Sequence, residues 1–357
     1  MLIVDADAHA NEDVLAWTAL HEQRPGWIGA GTSGGRLVAK IEDKLFPVQE
    51  GPGCGVAIDA STNPAAAAGA VDVNQRLADM DAEGIDVQVL YGGLIIGVST
   101  LKDAGLAADI AVAYNDWLVG DLCSAAPKRL KGVAAVPIQD VARAIVEMQR
   151  ATEAGAVGVT IPPVVGDENL DGGTLQPFFE AAADLGVAVG IHSAPGMNVP
   201  LPAAGRFDNY AQVHALSFPV DQMVAFTALA MGGVLDRFPG LRVAFLESGV
   251  GWVPYFLDRV GEHREKLAHL IPEMKSDPRD YLERGQCFFS FEAEESLLAL
   301  AVERLGADAW IWASDYPHWD ADFPGCTAEA REMAEPLGEA VAAKVLGTNA
   351  LRLYGMT

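Results

Sequence analysis

The sequence predicts an α/β fold, a distorted (β/α)8 TIM barrel with an insertion after its first strand. Eight short apolar segments, typical of buried parallel strands, alternate with amphipathic segments of helical periodicity. Glycine or proline ends most of the helices before the next strand begins. The rival fold, a doubly wound open sheet, usually has a glycine-rich loop after its first strand. Here residues 8–12 follow that strand without a glycine, so the barrel is favoured.

The first strand runs from Ile3 to His9 and ends in two acids and a histidine. Because side chains alternate along a strand, we expect Asp5, Asp7 and His9 to share one face. A carboxylate and an imidazole two residues apart can reach the same metal ion, and these donors suit zinc, manganese or iron. The Asp7-x-His9 pair is therefore a candidate metal site.

A segment rich in glycine, proline and alanine interrupts the barrel pattern at about residues 22–71. It contains a predicted hairpin, in which residues 36–41 turn at Glu42-Asp43 into residues 44–48. We interpret the segment as an insertion over one end of the domain. The whole chain, residues 1–357, is then a single metal-dependent barrel domain.

The regular units begin at Asp72, a predicted cap for a helix that ends at Gly84. Seven further apolar segments and the first strand make up the eight strands of a (β/α)8 barrel, which typically has about 250 residues before insertions. We expect Glu292, Glu294 and Glu295 to form an acidic helix start. The further strands are predicted at 85–90, 132–136, 157–161, 187–191, 241–246, 287–291 and 310–313, and the further helices at 106–125, 140–154, 175–185, 221–237, 252–268, 295–305 and about 327–347.

The composition excludes several classes of partner. Half of the residues are hydrophobic and 20% are charged, as in a soluble globular protein. The formal net charge of −25 would repel phosphate backbones and anionic lipids, so nucleic acid and membrane surfaces are not expected as partners.

The expected location is the cytoplasm. The four cysteines are scattered without a C-x-x-C spacing, which favours reduced thiols. The first strand begins so early that we expect no signal peptide. An uninterrupted apolar run of about 18 residues, the length of a membrane span, is also absent from the sequence.

Residues of the metal-ligand type stand at the ends of four predicted strands. Active sites of barrels lie at the carboxyl ends of the strands, so we expect these side chains to converge. They are Asp7 and His9 on the first strand, His192 on the fifth, Glu247 on the sixth and Asp315 on the eighth.

This donor set predicts a divalent metal cofactor, with zinc, manganese or iron at one or two ions per chain. Two histidines and one carboxylate with open positions also describe a non-haem iron site. A bound ion could lower the pKa of a water molecule, polarise a substrate carbonyl or carboxylate, or clamp the substrate. Asp315 could both ligate the ion and move a proton.

Two further histidines are candidates for the chemistry. His214 lies in the predicted loop after the fifth strand, where it could be an acid, a base, a ligand of a second metal or a structural residue. His318 follows Asp315 by three residues and could orient that carboxylate or the substrate. Trp252 and Trp319 could wall an apolar pocket or simply be packed. The catalytic candidates are therefore Asp315, Glu247, His214 and His318.

Motifs along most of the chain carry a resemblance to a known family. They are Val4-Asp-Ala-Asp-Ala-His9, Arg76-Leu-Ala-Asp-Met-Asp-Ala-Glu-Gly-Ile85, His214-Ala-Leu-Ser-Phe-Pro219, Gly232-Gly-Val-Leu-Asp-Arg-Phe-Pro239, Phe245-Leu-Glu-Ser-Gly-Val-Gly-Trp-Val-Pro254, Ala313-Ser-Asp-Tyr-Pro-His-Trp-Asp320 and Gly347-Thr-Asn-Ala-Leu-Arg-Leu-Tyr354. The chain resembles the amidohydrolase-related family, the decarboxylase-like branch of the metal-dependent amidohydrolase superfamily. The resemblance implies a distorted barrel, a metal at the strand ends, and decarboxylation or hydrolysis of small acids, often aromatic. It also implies a homodimer.

The resemblance implies that Asp7 and His9 are the metal ligands of the first strand, His192 that of the fifth and Asp315 the aspartate of the eighth. The chain departs from the better-known members at two points. Many have His-x-His on the first strand, and many have a histidine where this chain has Glu247. A neutral histidine can donate a hydrogen bond to a substrate carboxylate, whereas Glu247 would repel one unless it is protonated or bound to metal. The added carboxylates could instead hold a second metal.

Three functions are consistent with these features. The favoured one is a metal-dependent hydrolase or carboxy-lyase that acts on a small organic acid, which could be aromatic. The second is a non-haem iron or di-iron oxygenase on the same scaffold. The third is a catalytically inactive binding barrel, against which the retention of both histidines and Asp315 argues.

Overall fold

The computed structural model describes residues 1–10, 28–33, 36–42, 44–46, 65–66, 68–193 and 206–356. Eight parallel strands follow one another around a nearly closed barrel in the order of the chain. They are Val4–Ala10, Val87–Gly92, Leu130–Ala135, Gly158–Ile161, Ala188–Ile191, Arg242–Phe245, Cys287–Phe291 and Trp310–Trp312. The predicted fold class is confirmed.

Helices cover the outside of the barrel, between consecutive strands and after the last one. Side-chain oxygens of Asp72 and Asp140 accept hydrogen bonds from the first N–H groups of two of them. Gly84 and Gly155 end the same two helices with φ angles of 72° and 117°, which favour glycine. The helices are Val73–Glu83, Ala104–Asn115, Val141–Ala154, Gln176–Leu185, Tyr210–Met231, Val234–Arg237, Trp252–Leu267, Pro278–Glu283, Leu298–Leu305, Cys326–Ala334, Glu339–Ala343 and Asn349–Tyr354.

The strands separate two apolar cores. The larger core lies between the strands and the helices. The smaller core fills the barrel interior, where Val89 and Phe288 are among its members, and Leu353 and Tyr354 of the last helix pack against it. The hydroxyl groups of Tyr91 and Tyr354 lie 2.8 Å apart inside this core. The barrel interior is therefore filled with side chains, as in other small barrels.

The barrel closes between the eighth strand and the first. The backbone N–H of Asp315 donates to the carbonyl of Asp7 (3.1 Å), and the N–H of His9 donates to the carbonyl of Tyr316 (2.6 Å). These bonds continue the sheet just beyond Trp312, where the eighth strand ends. They also fix the backbone of three predicted site residues at the same edge of the barrel.

Asp5 does not share the face of Asp7 and His9, so this part of the prediction is wrong. The pairing with the second strand shifts register between Asp5 and Ala8, and such a bulge re-aims the side chains that follow it. The Asp5 carboxylate instead accepts hydrogen bonds from the N–H (2.9 Å) and hydroxyl (2.5 Å) of Ser314 and from the amide of Gln88 (2.9 Å). Burial raises the pKa of Asp5 to about 6 despite these bonds. Asp5 thus fastens the barrel seam.

Part of the predicted insertion is visible. Arg36–Ile41 pairs antiparallel with Lys44–Leu45, as predicted, and also with Ile28–Ser33. Glu42 accepts hydrogen bonds from the backbone of Lys102 (3.1 Å) and Asp103 (2.7 Å), so the hairpin contacts the connection after the second strand. Residues 11–27, 34–35, 43, 47–64 and 67 lie outside the described residues. The insertion limits and the single domain therefore stay predictions.

The helix predicted at 221–237 was placed too late. The structure has Tyr210–Met231, which Asn209 caps and which contains Pro219, followed by Val234–Arg237. His214 therefore lies on a helix and not in a loop. Within the described residues, Tyr210–Met231 is the one helix long and apolar enough for a membrane span, and half of its apolar window is buried inside the protein.

The acidic helix start predicted near residue 295 is also wrong. The helix begins at Leu298, and Glu292 directly follows the seventh strand, which ends at Phe291. Glu292 is thus an acidic residue at the carboxyl end of a further barrel strand.

Replacing Asp5 by alanine should lower the free energy of unfolding by about 3 kcal/mol, because the hydrogen bonds that its carboxylate accepts are lost and buried donors stay unpaired. Chemical denaturation measures this. The control is Asp184→Ala at an exposed position, which should change stability by less than about 0.5 kcal/mol. Equal effects of the two substitutions would contradict a role for Asp5 in the barrel seam.

Candidate metal centre

The structure brings five predicted donors together at the carboxyl ends of the strands. His9 Nε2 lies at the centre of the group. Its neighbours are Glu247 Oε1 at 3.2 Å, Asp315 Oδ1 at 3.3 Å, His192 Nε2 at 3.3 Å and Asp7 Oδ1 at 3.6 Å. Donor atoms that share one ion are separated by similar distances, since each lies about 2.0–2.2 Å from the metal.

The two histidines point unprotonated nitrogens at each other when both are neutral. His9 Nδ1 lies 2.9 Å from the carbonyl of Gly92, and His192 Nδ1 lies 2.9 Å from the carbonyl of Ser193. A carbonyl only accepts, so each Nδ1 carries the proton and each Nε2 presents a lone pair. Two lone pairs 3.3 Å apart repel each other unless protons or a cation lie between them. A metal-bound histidine usually donates its other ring N–H to an oxygen acceptor, as Nδ1 of each histidine does here.

The burial of the Asp7 carboxylate is a second observation that indicates a cation. Its side chain is 1% exposed, and neither carboxylate oxygen has a hydrogen-bond partner among the residues that the structure describes. Burial raises the pKa of Asp7 to about 8, although the charges of His192 and His9 oppose this. Burying an unpaired carboxylate is costly, and a divalent ion would offset that cost. The residues present therefore fit a divalent metal.

Glu247 faces both imidazoles. Its Oε1 lies 3.2 Å from His9 Nε2 and 3.3 Å from His192 Nε2. Burial alone would raise the pKa of Glu247, but the charge and hydrogen bond of His192, with those of His9, lower it well below the usual range. Its backbone N–H donates to the hydroxyl of Ser290 (2.9 Å). Glu247 is therefore held as a carboxylate directed at the metal position.

Two of the acids adopt backbone conformations that are unusual for residues with a side chain. The φ angle is 49° at Glu247 and 53° at Asp315. Such conformations cost roughly 1–3 kcal/mol each and cluster at functional sites. Glu247 lies two residues beyond the sixth strand and Asp315 three residues beyond the eighth, and a carboxylate oxygen of each lies within 3.3 Å of His9 Nε2.

The described donors form two overlapping groups of four, which share His9 and Glu247. His9 can serve only one ion, because its Nδ1 already faces the Gly92 carbonyl. The donors therefore converge on one position, and His318 stands beside it. His318 Nδ1 lies 2.6 Å from Asp315 Oδ1, and its ring stacks on that of His9 at 4.1 Å. The sequence analysis expected that His318 could orient Asp315 or the substrate, and that role stays a prediction.

The structure does not bring His214 into these donor groups. Its Nε2 lies 3.6 Å from Asp320 Oδ2, and its ring faces Trp319. Trp252 packs against Phe289 in the outer core.

Sequence reasoning missed Arg76, which supports the first strand from behind. Arg76 is buried and donates to the carbonyl of His9 (2.6 Å), to Gln88 Oε1 (2.8 Å) and to the carbonyl of Gly69 (3.0 Å). An arginine that is fully buried and paired in this way is rare in a core. Arg76 begins one of the family motifs in the sequence, and this motif was the signal from which its structural role could have been inferred.

Comparisons with known proteins identify the family and the fold. A profile of the Amidohydrolase family matches residues 4–356. The chain is 29% identical over 295 residues to 2-amino-3-carboxymuconate-6-semialdehyde decarboxylase of Dictyostelium discoideum, which covers 80% of this chain and 77% of that protein. It is also 29% identical over 294 residues to gamma-resorcylate decarboxylase of Rhizobium sp. strain MTP-10005, which covers 78% of this chain and 86% of that protein.

A solved structure shows the same fold. The dihydroxybenzoic acid decarboxylase of Polaromonas sp. JS666 aligns with a TM-score of 0.68 and 24% identity, over 80% of this chain and 87% of that one. That structure contains manganese and the inhibitor 2-nitroresorcinol. The family profile spans nearly the whole chain, which therefore belongs to the Amidohydrolase family and is a metal-dependent enzyme of that superfamily.

Proposed function

We propose that this protein is a metal-dependent carboxy-lyase that removes CO₂ from a small aromatic acid. The observation that carries the proposal is the set of lone pairs and unpaired carboxylate oxygens around one position, at the strand ends of a chain whose relatives are decarboxylases. The manganese of the Polaromonas structure favours manganese as the ion. The expected homodimer and the cytoplasmic location stay predictions.

One divalent ion per chain fits the donor set. We assign as its ligands Asp7, His9, His192, Glu247 and Asp315. A bound ion would supply Lewis-acid polarisation of the substrate oxygens. Because Glu247 replaces a neutral histidine of the better-known members with a carboxylate, this shell holds three carboxylates. A shell rich in oxygen favours manganese or iron over zinc.

Asp315 and His318 are placed to deliver the proton that decarboxylation requires. When the carbon–carboxylate bond breaks, the electron pair stays on the ring carbon, which must take up a proton as CO₂ leaves. His318 is 27% exposed, and its Nδ1 lies 2.6 Å from Asp315 Oδ1. His318 therefore can pass a proton from solvent to Asp315, and Asp315 passes it to the carbon.

Glu247 favours a second candidate, hydrolysis. A carboxylate with a strongly lowered pKa has no proton to give, and it could orient a water molecule as a base would. The two functions differ in their products, because only the carboxy-lyase releases CO₂.

The activity is tested with the manganese-loaded enzyme and a panel of hydroxybenzoic acids, by measuring CO₂ release. We expect release from at least one member, and a loss of roughly 10²–10⁴-fold in kcat for Asp315→Asn, because the proton carrier is removed. Asp322→Asn in the same loop is the control and should keep full activity. Full activity of Asp315→Asn, or a panel without CO₂ release, would contradict the proposal.

Replacing Glu247 by glutamine should weaken manganese binding about tenfold or more, because one negative ligand becomes neutral. Equilibrium dialysis with metal analysis measures the affinity. Glu294→Gln, an exposed acid near the same end of the barrel, is the matched control. Unchanged affinity in Glu247→Gln would show that Glu247 is not a ligand.

Metal and protons should compete at this site. The surrounding carboxylates overcome burial and raise the pKa of His9 and His192, so the metal-free folded state binds protons more tightly than the unfolded chain. Stability of the metal-free protein should therefore be lost as pH rises through these raised pKa values. The metal-loaded protein should show the opposite trend, because protons displace the ion as pH falls. Thermal unfolding from pH 6 to 8 measures both, and parallel trends would contradict the assignment.

A further inference from the structure

An aromatic cluster lies over the end of the eighth strand, outside the metal centre. The ring of His214 is 5.4 Å from Tyr210 and 5.1 Å from Phe218, both on its own helix. The same ring is 5.9 Å from Trp319, which belongs to the turn after the eighth strand. The helix and the turn thus meet through aromatic side chains.

This cluster adjoins the proposed proton path. The backbone turns tightly after Asp315, since the N–H of His318 bonds to the carbonyl of Asp315 (2.9 Å) and that of Ala321 to the carbonyl of His318 (3.3 Å). Trp319 and Asp320 lie within this turn. The turn therefore places Trp319 and Asp320 directly after His318, whose Nδ1 lies 2.6 Å from Asp315 Oδ1.

The cluster is open, unlike the aromatic residues of the core. Trp319 is 39% exposed, whereas Trp312, seven residues earlier, is completely buried. The side chains of His214 and Asp320 are 30% and 33% exposed. Aromatic side chains that stand open beside a site with convergent polar groups are typical of ligand pockets.

An acid lies at the edge of the cluster. Asp320 Oδ2 lies 3.6 Å from His214 Nε2, and the Asp320 side chain is 33% exposed. A second carboxylate on a substrate would be repelled here, whereas a hydroxyl or amino group could donate to an acid.

We propose that His214, Phe218 and Trp319 form a cradle for the substrate ring, and that Asp320 at its edge selects a hydrogen-bond donor on that ring. The substrate is then a monocarboxylic aromatic acid with a hydroxyl or amino group directed away from the metal. This inference rests on the proposed function and adds its specificity residues. His214, which sequence reasoning considered as an acid, a base or a ligand, becomes a positioning residue that holds Asp320.

The test measures binding to the full-length, manganese-loaded protein by isothermal titration calorimetry. A nitro group has the shape of a carboxylate but cannot leave as CO₂, so nitrobenzene and 3-nitrophenol serve as one pair of probes, which differ only in a hydrogen-bond donor. Benzoate and isophthalate serve as a second pair, which differ only in a second carboxylate. We expect 3-nitrophenol to bind about tenfold tighter than nitrobenzene, and isophthalate to bind more weakly than benzoate.

Two substitutions separate the roles of the residues. Asp320→Ala should abolish the preference for 3-nitrophenol and reduce the penalty on isophthalate relative to benzoate. Trp319→Ala should weaken the four probes by similar factors and leave the order within each pair unchanged. Asp322→Ala, an acid of the same loop, is the control and should behave as the unmodified protein. Because the preference is a ratio within one variant, a general loss of metal or of folded protein does not imitate it.

The outcomes distinguish this inference from the proposed function. Failure of the unmodified protein to bind any of the probes would overturn both. Binding without a preference for the donor would overturn only the role of Asp320, and so would a preference that survives in Asp320→Ala. Equal binding by Trp319→Ala and the unmodified protein would overturn the cradle.

Discussion

The site depends on one electrostatic constraint: two imidazole lone pairs and two unpaired oxygens of Asp7 are buried around the same position. Without a cation this group can be stable only by taking up protons, as the raised pKa values of His9 and Asp7 indicate. A divalent ion neutralises the same charges without protons. The fold therefore has to hold these donor atoms in fixed positions around the ion.

Several features of the barrel hold the donor atoms in place. The bulge in the first strand turns Asp7 and His9 into the site and leaves Asp5 to fasten the seam to Ser314. Buried Arg76 holds the carbonyl of His9 from the opposite side. Because the seam and the site use the same few residues of the first strand, stability and metal binding are coupled there.

The sequence was sufficient to predict the barrel and the position of its donors. Alternating apolar strands and capped helices determine the fold, and barrel strands all present their carboxyl ends at one face, so Asp7, His192 and Asp315 could be placed together. The orientation of Asp5 could not be predicted, because a bulge depends on pairing with the second strand. His214 was placed in a loop before the helix, but the helix begins at Tyr210 and continues through Pro219. Glu292 was assigned to a helix start because acids there favour the helix dipole, but that helix begins at Leu298.

The departure at Glu247 from the better-known family members bears on function. In place of a histidine, Glu247 adds charge beside the metal position, and the outer acid Asp320 extends that charge toward the opening. Negative charge at the opening disfavours a second carboxylate, so the same features that hold the ion also restrict the substrate. The aromatic side chains beside them supply the apolar contact that an aromatic ring requires.

An anomalous-scattering map from crystals of the manganese-loaded protein would test the five-ligand site most directly. We expect one peak per chain, within about 2.0–2.4 Å of a donor atom of each of Asp7, His9, His192, Glu247 and Asp315. A peak away from Glu247, a second peak at His318, or an empty site would contradict this ligand set.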